Sequence, residues 1–321
     1  MRMKLIAAGA AVAMIAPFAA HAGDAEWYGR IHLSVDHYSD ADNDGIEDGT
    51  YLSNNSSRFG FTGSQTVDGG LTLLGHVESS VDIGGGDWIA NRDAYVGLDG
   101  DFGKLLVGHL PAGNQYAYDV NFFADQVGDA AGGQTANIGG RDMALWYGTD
   151  ITEELNVSAT LLPEGHYGDD AGFGGRAAYS AGGMNIAVTH FATEDVVDDD
   201  ITAASFKMDY GQGEVGVSYT AYSETIDDDN IVVGGTYNVS EQGTLKLQHQ
   251  MRDDWSVSSV GYDHAFADGV VGYAAFATSD DWDGGVHQAG KGDGSAGEGW
   301  EDDSSAGPDS TVISFGMMYN F

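Results

Sequence analysis

TVISFGMMYNF, residues 311–321, ends the chain, and its reading decides the fold. Counting back in twos gives Phe321, Tyr319, Met317, Phe315 and Ile313, all apolar or aromatic, with Asn320, Met318, Gly316, Ser314 and Val312 between them. Period two is one face of a β-strand. An apolar strand with an unpaired edge invites aggregation, whereas a strand that closes a barrel against the first one has no edge. Closure is also one of two ways to satisfy every backbone hydrogen bond inside a membrane. The final strand of a secreted β-sandwich is the alternative for the same residues.

The other end of the chain favours export. Arg2 and Lys4 precede an alanine-rich apolar run, and Ala20-His21-Ala22 is an A-x-A pattern, so residues 1–22 read as a signal peptide ahead of a single domain over 23–321. That run is too short for a lasting membrane helix, and no later segment approaches the ~18 apolar residues a helical span needs. Glycine is abundant at 49 and proline scarce at 4, as in a barrel whose hydropathy averages out along alternating strands. With no cysteine, the fold rests on its ladder and not on disulfides. Two of the 12 basic residues lie in the signal, which leaves 10 against 50 acidic ones. Such a surface repels phosphates, so nucleic acid is excluded as a partner. The acidity fits either a saline setting, where screening shortens repulsion, or a merely acidic outer surface.

The first strand after the signal sets the pattern. Trp27, Gly29, Ile31, Leu33 and Val35 alternate with Tyr28, Arg30, His32, Ser34 and Asp36. If the first set meets lipid, the second lines a wet interior, the reverse of a soluble barrel. The alternation recurs over 57–64, where Phe59 and Phe61 oppose Arg58 and Thr62, and over 71–82, where Leu71, Leu73, Val77 and Val81 oppose His76, Glu78 and Asp82. Residues 91–109 read as two strands joined by a turn at Asp99-Gly100-Asp101. From 110 to 140 the alternation stops, and a loop that long is functional or disordered. Ten further strands follow between 141 and 278. Short turns such as Gly182-Gly183 alternate with longer acidic loops, as in outer-membrane barrels. Five strands before the long loop, ten after it and the terminal one make about sixteen, all antiparallel and β, with no linker or second domain.

The RFG strand at Arg58, the glycine turn, the NR-A-(aromatic)-VGL strand from Asn91 and the FG-L-L-G strand from Phe102 resemble, in order and spacing, the general porins of Gram-negative bacteria. The likeness covers 26–110 and 311–321; the middle of the chain matches only in rhythm. It implies an outer-membrane pore for passive diffusion of small hydrophilic solutes and ions. It also implies a homotrimer embedded in outer-membrane lipid and lipopolysaccharide, and recognition of the terminal strand by the barrel-assembly machinery. The family's long third loop folds into the lumen, and 110–140 occupies its place. Its aromatics Phe122 and Phe123 are expected on the inner wall, and Asp119, Asp125 and Asp129 facing the passage. Arg58 and Arg92 stand where the family carries constriction-wall cations, Arg30 lies on the polar face of the first strand, and Arg141 ends the loop. His109 departs from the family pattern, where an arginine is usual, so the wall is less positive and the pore is expected to prefer cations. The short stretch 84–90 also departs, since relatives often latch onto a neighbour there.

No hydrolase motif joins the serines and histidines, and no phosphate-cradling motif is present, so the chain reads as no enzyme and as using no cofactor. Single histidines such as His76 and His249 read as lumen-facing polar residues. Asp40, Asp42 and Asp44, followed by Gly45 and Asp48, resemble the front half of a calcium loop. The twelfth position is Tyr51 where a bidentate glutamate belongs, so a solvated acidic loop is the better reading, with structural calcium the alternative. Two other functions stay open: a channel selective for a sugar or similar nutrient, which would need a run of aromatics along the passage, and a soluble secreted β-protein such as a lectin or lyase.

Overall fold

The computed structural model describes residues 24–39, 48–67, 69–81, 83, 88–111, 119–130, 141–163, 171–192, 200–222, 229–252, 255–280 and 311–321. The strands are β1 (Asp24–Ser39), β2 (Gly49–Asn54), β3 (Arg58–Thr66), β4 (Thr72–Val81), β5 (Trp88–Gly100), β6 (Gly103–Pro111), β7 (Arg141–Asp150), β8 (Leu155–Leu162) and β9 (Gly172–Ala181). They continue as β10 (Met184–Ala192), β11 (Ile201–Asp209), β12 (Glu214–Tyr222), β13 (Asn230–Asn238), β14 (Gly243–Arg252), β15 (Trp255–Ala267), β16 (Val270–Asp280) and β17 (Thr311–Asn320). From β3 to β17 each strand pairs antiparallel with the next in chain order, and β1 pairs with β17 from Arg30↔Asn320 to Ser39↔Thr311. The sheet therefore closes on itself. The first half of β1 pairs with β3 and the second half with β2, so β2 and β3 share one position and the barrel has sixteen staves.

The element absent from the sequence reading is β2. Its six residues are separated from β3 by Asn55, Ser56 and Ser57, and Ser56 takes a left-handed φ of 61°, uncommon outside glycine. The break is held on both sides. The Asn55 N–H donates to the His32 carbonyl (2.8 Å), the His32 N–H to Ser57 Oγ (3.0 Å), and the Val81 N–H to the Ser57 carbonyl (2.8 Å). Like other bulges, it re-aims a side chain: the Ser56 hydroxyl points into the barrel.

The faces follow the alternation. Outside, Trp27, Ile31, Leu33, Val35, Val96, Leu247 and Phe315 are exposed; inside, His32, Ser34, Thr189, Ser205, Ser218, Gln248 and Gln250 are buried. A soluble protein has the opposite arrangement, and an apolar exterior around a polar lumen is that of a transmembrane barrel. Trp27, Phe61, Val77, Ala94 and His109 form one row of directly paired residues. The row begins near the start of β1 and ends near the finish of β6, so the strands are tilted, as closure requires.

Short turns gather at one end. Gly182 and Gly183, with φ of 59° and 83°, make a two-residue turn with both residues left-handed, matching the twist of the flanking strands. At this end Phe321 closes the seam, its N–H and carbonyl exchanging bonds with Gly29 (3.0 and 2.9 Å). Its ring lies over Gly29 so closely that a Cβ there would sit 2.8 Å from Cε2. The strand ends that the longer connections join, such as Ser39, Ala192, Tyr222 and Asp280, are at the opposite end.

Candidate functional site

Residues 119–130 lie against the inner wall, and the wall is shaped to receive them. Three inward positions, one each on β12, β13 and β15, are glycine. A Cβ on Gly216 would stand 3.1 Å from Val120, on Gly234 2.8 Å from Phe122, and on Gly261 2.8 Å from Phe123. Phe123 is fully buried in a cluster with Tyr38, Val127, Tyr273, Ala277 and Val312. Between the glycine notches, alternate residues of β14 act as rungs. Lys246 Nζ donates to Gln126 Oε1 (2.7 Å) and lies 4.7 Å from the Phe123 ring centroid, a cation–π contact. Gln248 accepts from the Phe122 N–H (2.7 Å) and donates to the Gly128 carbonyl (2.9 Å), and Gln250 donates to the Ala130 carbonyl (3.1 Å). Within the segment Asp129 accepts from Asn121 and from the Asp125 N–H, both at 2.6 Å. That bond holds Asp125 at a φ of 58°.

Two carboxylates pin the segment across the lumen. Asp119 receives both terminal nitrogens of Arg176 on β9 at 2.7 Å, and the Ser205 hydroxyl on β11 at 2.7 Å. Such a fork-to-carboxylate contact combines charge with fixed geometry. Asp125 receives Arg30 on β1 at 2.8 Å and stands 3.8 Å from Arg58 on β3. Arg58 is also 3.5 Å from Glu78 on β4, and Glu78 is bonded to Arg92 on β5 and accepts from the Tyr28 hydroxyl (2.8 Å). Ser56, aimed inward by the break before β3, accepts from Arg92 (3.2 Å) and Arg58 (3.4 Å). Arg30, Arg58 and Arg92 thus alternate with Asp125 and Glu78 in one chain of charge. Beside it runs a band of rings: Tyr28 bonds His76 (3.1 Å), and His76 stacks on Tyr95 with centroids 4.9 Å apart and planes within 5°.

The expected site residues separate into groups. Arg30, Arg58, Arg92 and Asp125 come together. Asp119 meets Arg176, which the sequence reading did not single out. Asp129 braces its own segment and is 8% exposed, so it does not present its carboxylate to the passage. His109 is not brought into the arginine group. It pairs with Met143 and alternates with inward Gly108 and Leu110, so it shares the outer face with Val107, while its Nδ1–H donates to the Arg92 carbonyl (2.9 Å). His249 likewise lies opposite exposed Val233 and bonds Ser258 (2.9 Å) on the outer face, whereas His76 faces inward. Arg141 opens β7, and its side chain lies outside the described residues, as do residues 1–22, Asp40, Asp42, Asp44 and the stretch 84–87. Asp48 stands just before β2, and among the described residues no group of three or more acidic, histidine or cysteine side chains is placed to hold a metal.

Every basic side chain described in the strands is on the inward face, including Lys104, Lys207 and Arg252 as well as those above. Hydrocarbon excludes charge from the other face.

A closed barrel with an apolar outside, a polar inside and a segment packed against the inner wall belongs to the class of membrane-spanning β-barrels. The family model described as Gram-negative porin matches residues 7–285, and the chain belongs to that family. It is therefore an outer-membrane protein of the porin kind, not an enzyme. The major outer membrane protein P.IB of Neisseria meningitidis serogroup A / serotype 4A is 33% identical over 128 residues, 38% of this chain and 37% of that protein. The match thus spans little more than a third of the relative's length. Among solved structures, the anion-selective porin from Comamonas acidovorans superposes with a TM-score of 0.74 at 18% identity, covering 93% of this chain and 99% of that one. The trimer form of OmpT, an outer membrane protein of Vibrio cholerae, superposes with a TM-score of 0.65 at 18% identity, covering 94% and 100%.

Proposed function

We propose that the chain forms a water-filled passage for the diffusion of small hydrophilic solutes and ions, narrowed where residues 119–130 cross between Arg176 and Arg30. The observation that carries this is the double pinning of that segment inside a polar lumen. The linked charges of Arg30, Asp125, Arg58, Glu78 and Arg92 line the narrow section. A transverse field there, cationic wall against loop carboxylate, orients polar solutes and disfavours apolar ones.

In dilute salt the passage prefers cations. The three arginines are largely offset by Asp125 and Glu78, while 50 acidic residues stand against 10 basic ones outside the signal. At about 0.1 M salt the Debye length is about 10 Å, so acidic rims reach ions in the lumen; at 1 M it is about 3 Å and only wall charges act. The Comamonas relative is described as anion-selective, so this preference is opposite to that of a structural neighbour. The working unit is a homotrimer; the Vibrio neighbour is described in a trimer form. Zero-current potentials across a planar bilayer with a KCl gradient test the reading. A cation-selective sign that weakens as salt rises is expected, and an anion-selective sign in dilute salt refutes it.

A nutrient-selective channel is the second reading, and one observation favours it. Tyr28, His76 and Tyr95 stand beside Glu78 and Arg92, with half-buried Trp146 near Tyr95 on the same wall. Reversible current block by small sugars, lost in Tyr95→Ala, would favour this reading over general diffusion.

A further inference from the structure

Asp36 is a carboxylate that the charge chain of the lumen does not use. It faces inward from β1, is 1% exposed, and lies on the wall beside the cluster that buries Phe123. Its Oδ2 accepts from the hydroxyls of Ser34 (3.0 Å) and Ser53, but its Oδ1 has no hydrogen-bond partner. Among the described residues no basic side chain pairs with it; the nearest cation along β1, Arg30, is engaged by Asp125 and Asn320. A buried charge left without a counter-charge is costly enough that such groups are normally paired or bind metal.

The surroundings are rich in neutral oxygen. Ser314 is paired directly with Asp36 across the β1–β17 seam and is fully buried, and Ser53 is paired with Ser34 across to β2. Asn55 donates to the Ser34 hydroxyl at 2.8 Å and the Tyr273 hydroxyl at 3.0 Å, and Ser34 and Ser53 donate to Oδ2, so none of these donors reaches Oδ1. We propose that Asp36 Oδ1, with the hydroxyls of Ser34, Ser53 and Ser314, forms a binding site for a single sodium ion beneath the lumenal segment. One carboxylate and neutral hydroxyls balance one positive charge, whereas a divalent ion would leave an excess charge buried. Sodium is close in size to calcium, whose oxygens lie at about 2.3–2.6 Å. Neighbouring strands stand about 4.8 Å apart, so one ion bridges from the carboxylate to Ser314 across a single gap. The ion would tie the closing seam of the barrel to β2 where Phe123 rests.

The test uses the folded, full-length barrel in detergent, as purified, in NaCl or in choline chloride at the same ionic strength. Thermal unfolding is followed for the wild type, Asp36→Asn and Ser314→Ala. The asparagine keeps the shape and the two serine bonds while removing the charge. In the wild type, sodium is expected to raise the Tm above that in choline by about 2–4 °C. That gap should vanish in Asp36→Asn and shrink in Ser314→Ala. In choline, Asp36→Asn is expected to be at least as stable as the wild type. An equal sodium gap in wild type and Asp36→Asn assigns the effect to the acidic loops and overturns the site. So does the absence of a gap in the wild type, or an Asp36→Asn variant less stable than wild type in choline.

Discussion

Replacing Arg58 and Arg92 together by glutamine should move the pore strongly toward cations, and the size of the shift follows from the geometry. Both guanidiniums lie on the lumenal chain with Glu78 and Asp125, so their loss leaves two carboxylates against Arg30 alone. An ion about 7 Å from one guanidinium in water feels about 0.6 kcal/mol, close to RT. A Debye length of about 10 Å at 0.1 M salt reduces this to about 0.3 kcal/mol. Two arginines then account for about 0.6 kcal/mol, or about 2.7-fold for cations and the inverse for anions, so the permeability ratio moves about sevenfold. At 1 M salt, screening within about 3 Å leaves a change of about 1.5-fold. Zero-current potentials in two salt concentrations measure both numbers, with heat-modifiable gel migration confirming that the barrel has folded. Glu78→Gln is the mirror variant and should shift selectivity toward anions. If both variants move the potential in the same direction, or neither moves it, the charge chain does not face the ion path and the reasoning fails.

Three further perturbations address the seat and the seam. Gly261→Leu puts a side chain where Phe123 rests, 2.8 Å from a Cβ, and should leave the barrel folded while changing conductance and raising current noise; an unaltered single-channel trace would show that the notch is not needed. Arg176→Ala removes both bonds to Asp119, interactions worth about 1.5–3 kcal/mol each to a charged group. It should loosen that end of the segment, read as faster proteolysis within 110–140, with little change in the Tm of the barrel. Deleting Phe321 strips the ring from Gly29 and two seam hydrogen bonds. Burial of one such ring is worth about 2–3 kcal/mol, so a near-complete loss of outer-membrane insertion would indicate recognition of the terminal residue, and normal yield would count against it.

Sequence carried the barrel because lipid imposes one rule on every strand. Ile313, Phe315, Met317 and Tyr319 had to alternate, and so did Ile31, Leu33 and Val35, whatever they packed against. β2 escaped notice for a local reason: six residues followed by a left-handed Ser56 do not sustain a period. The site was less legible because its partners are distant in the chain. Arg176 meets Asp119, and Lys246, Gln248 and Gln250 meet 122–130, only once the barrel has closed. The K-x-Q-x-Q spacing of β14 was a visible signal, since three long polar side chains at inward positions need something to bond. His109 was placed by its likeness to a family arginine, but Leu106, Gly108 and Leu110 hold the inward parity of β6 and turn it to the outer face. Asp129 was expected to face the passage because its use as an internal acceptor depends on the turn at Asp125.

The hydrogen-bonded ladder of the wall runs from strand to strand around the whole circumference, and residues 119–130 take part in none of it. The segment is held by side chains that rise from the wall and by the spaces that missing side chains leave. Scaffold and aperture are therefore separate inheritances within one chain. A substitution at Gly216, Gly234, Lys246 or Gln248 re-cuts the aperture without touching the ladder that keeps the protein in the membrane. Such a lineage can retune what it admits in single steps, each compatible with a barrel that still inserts.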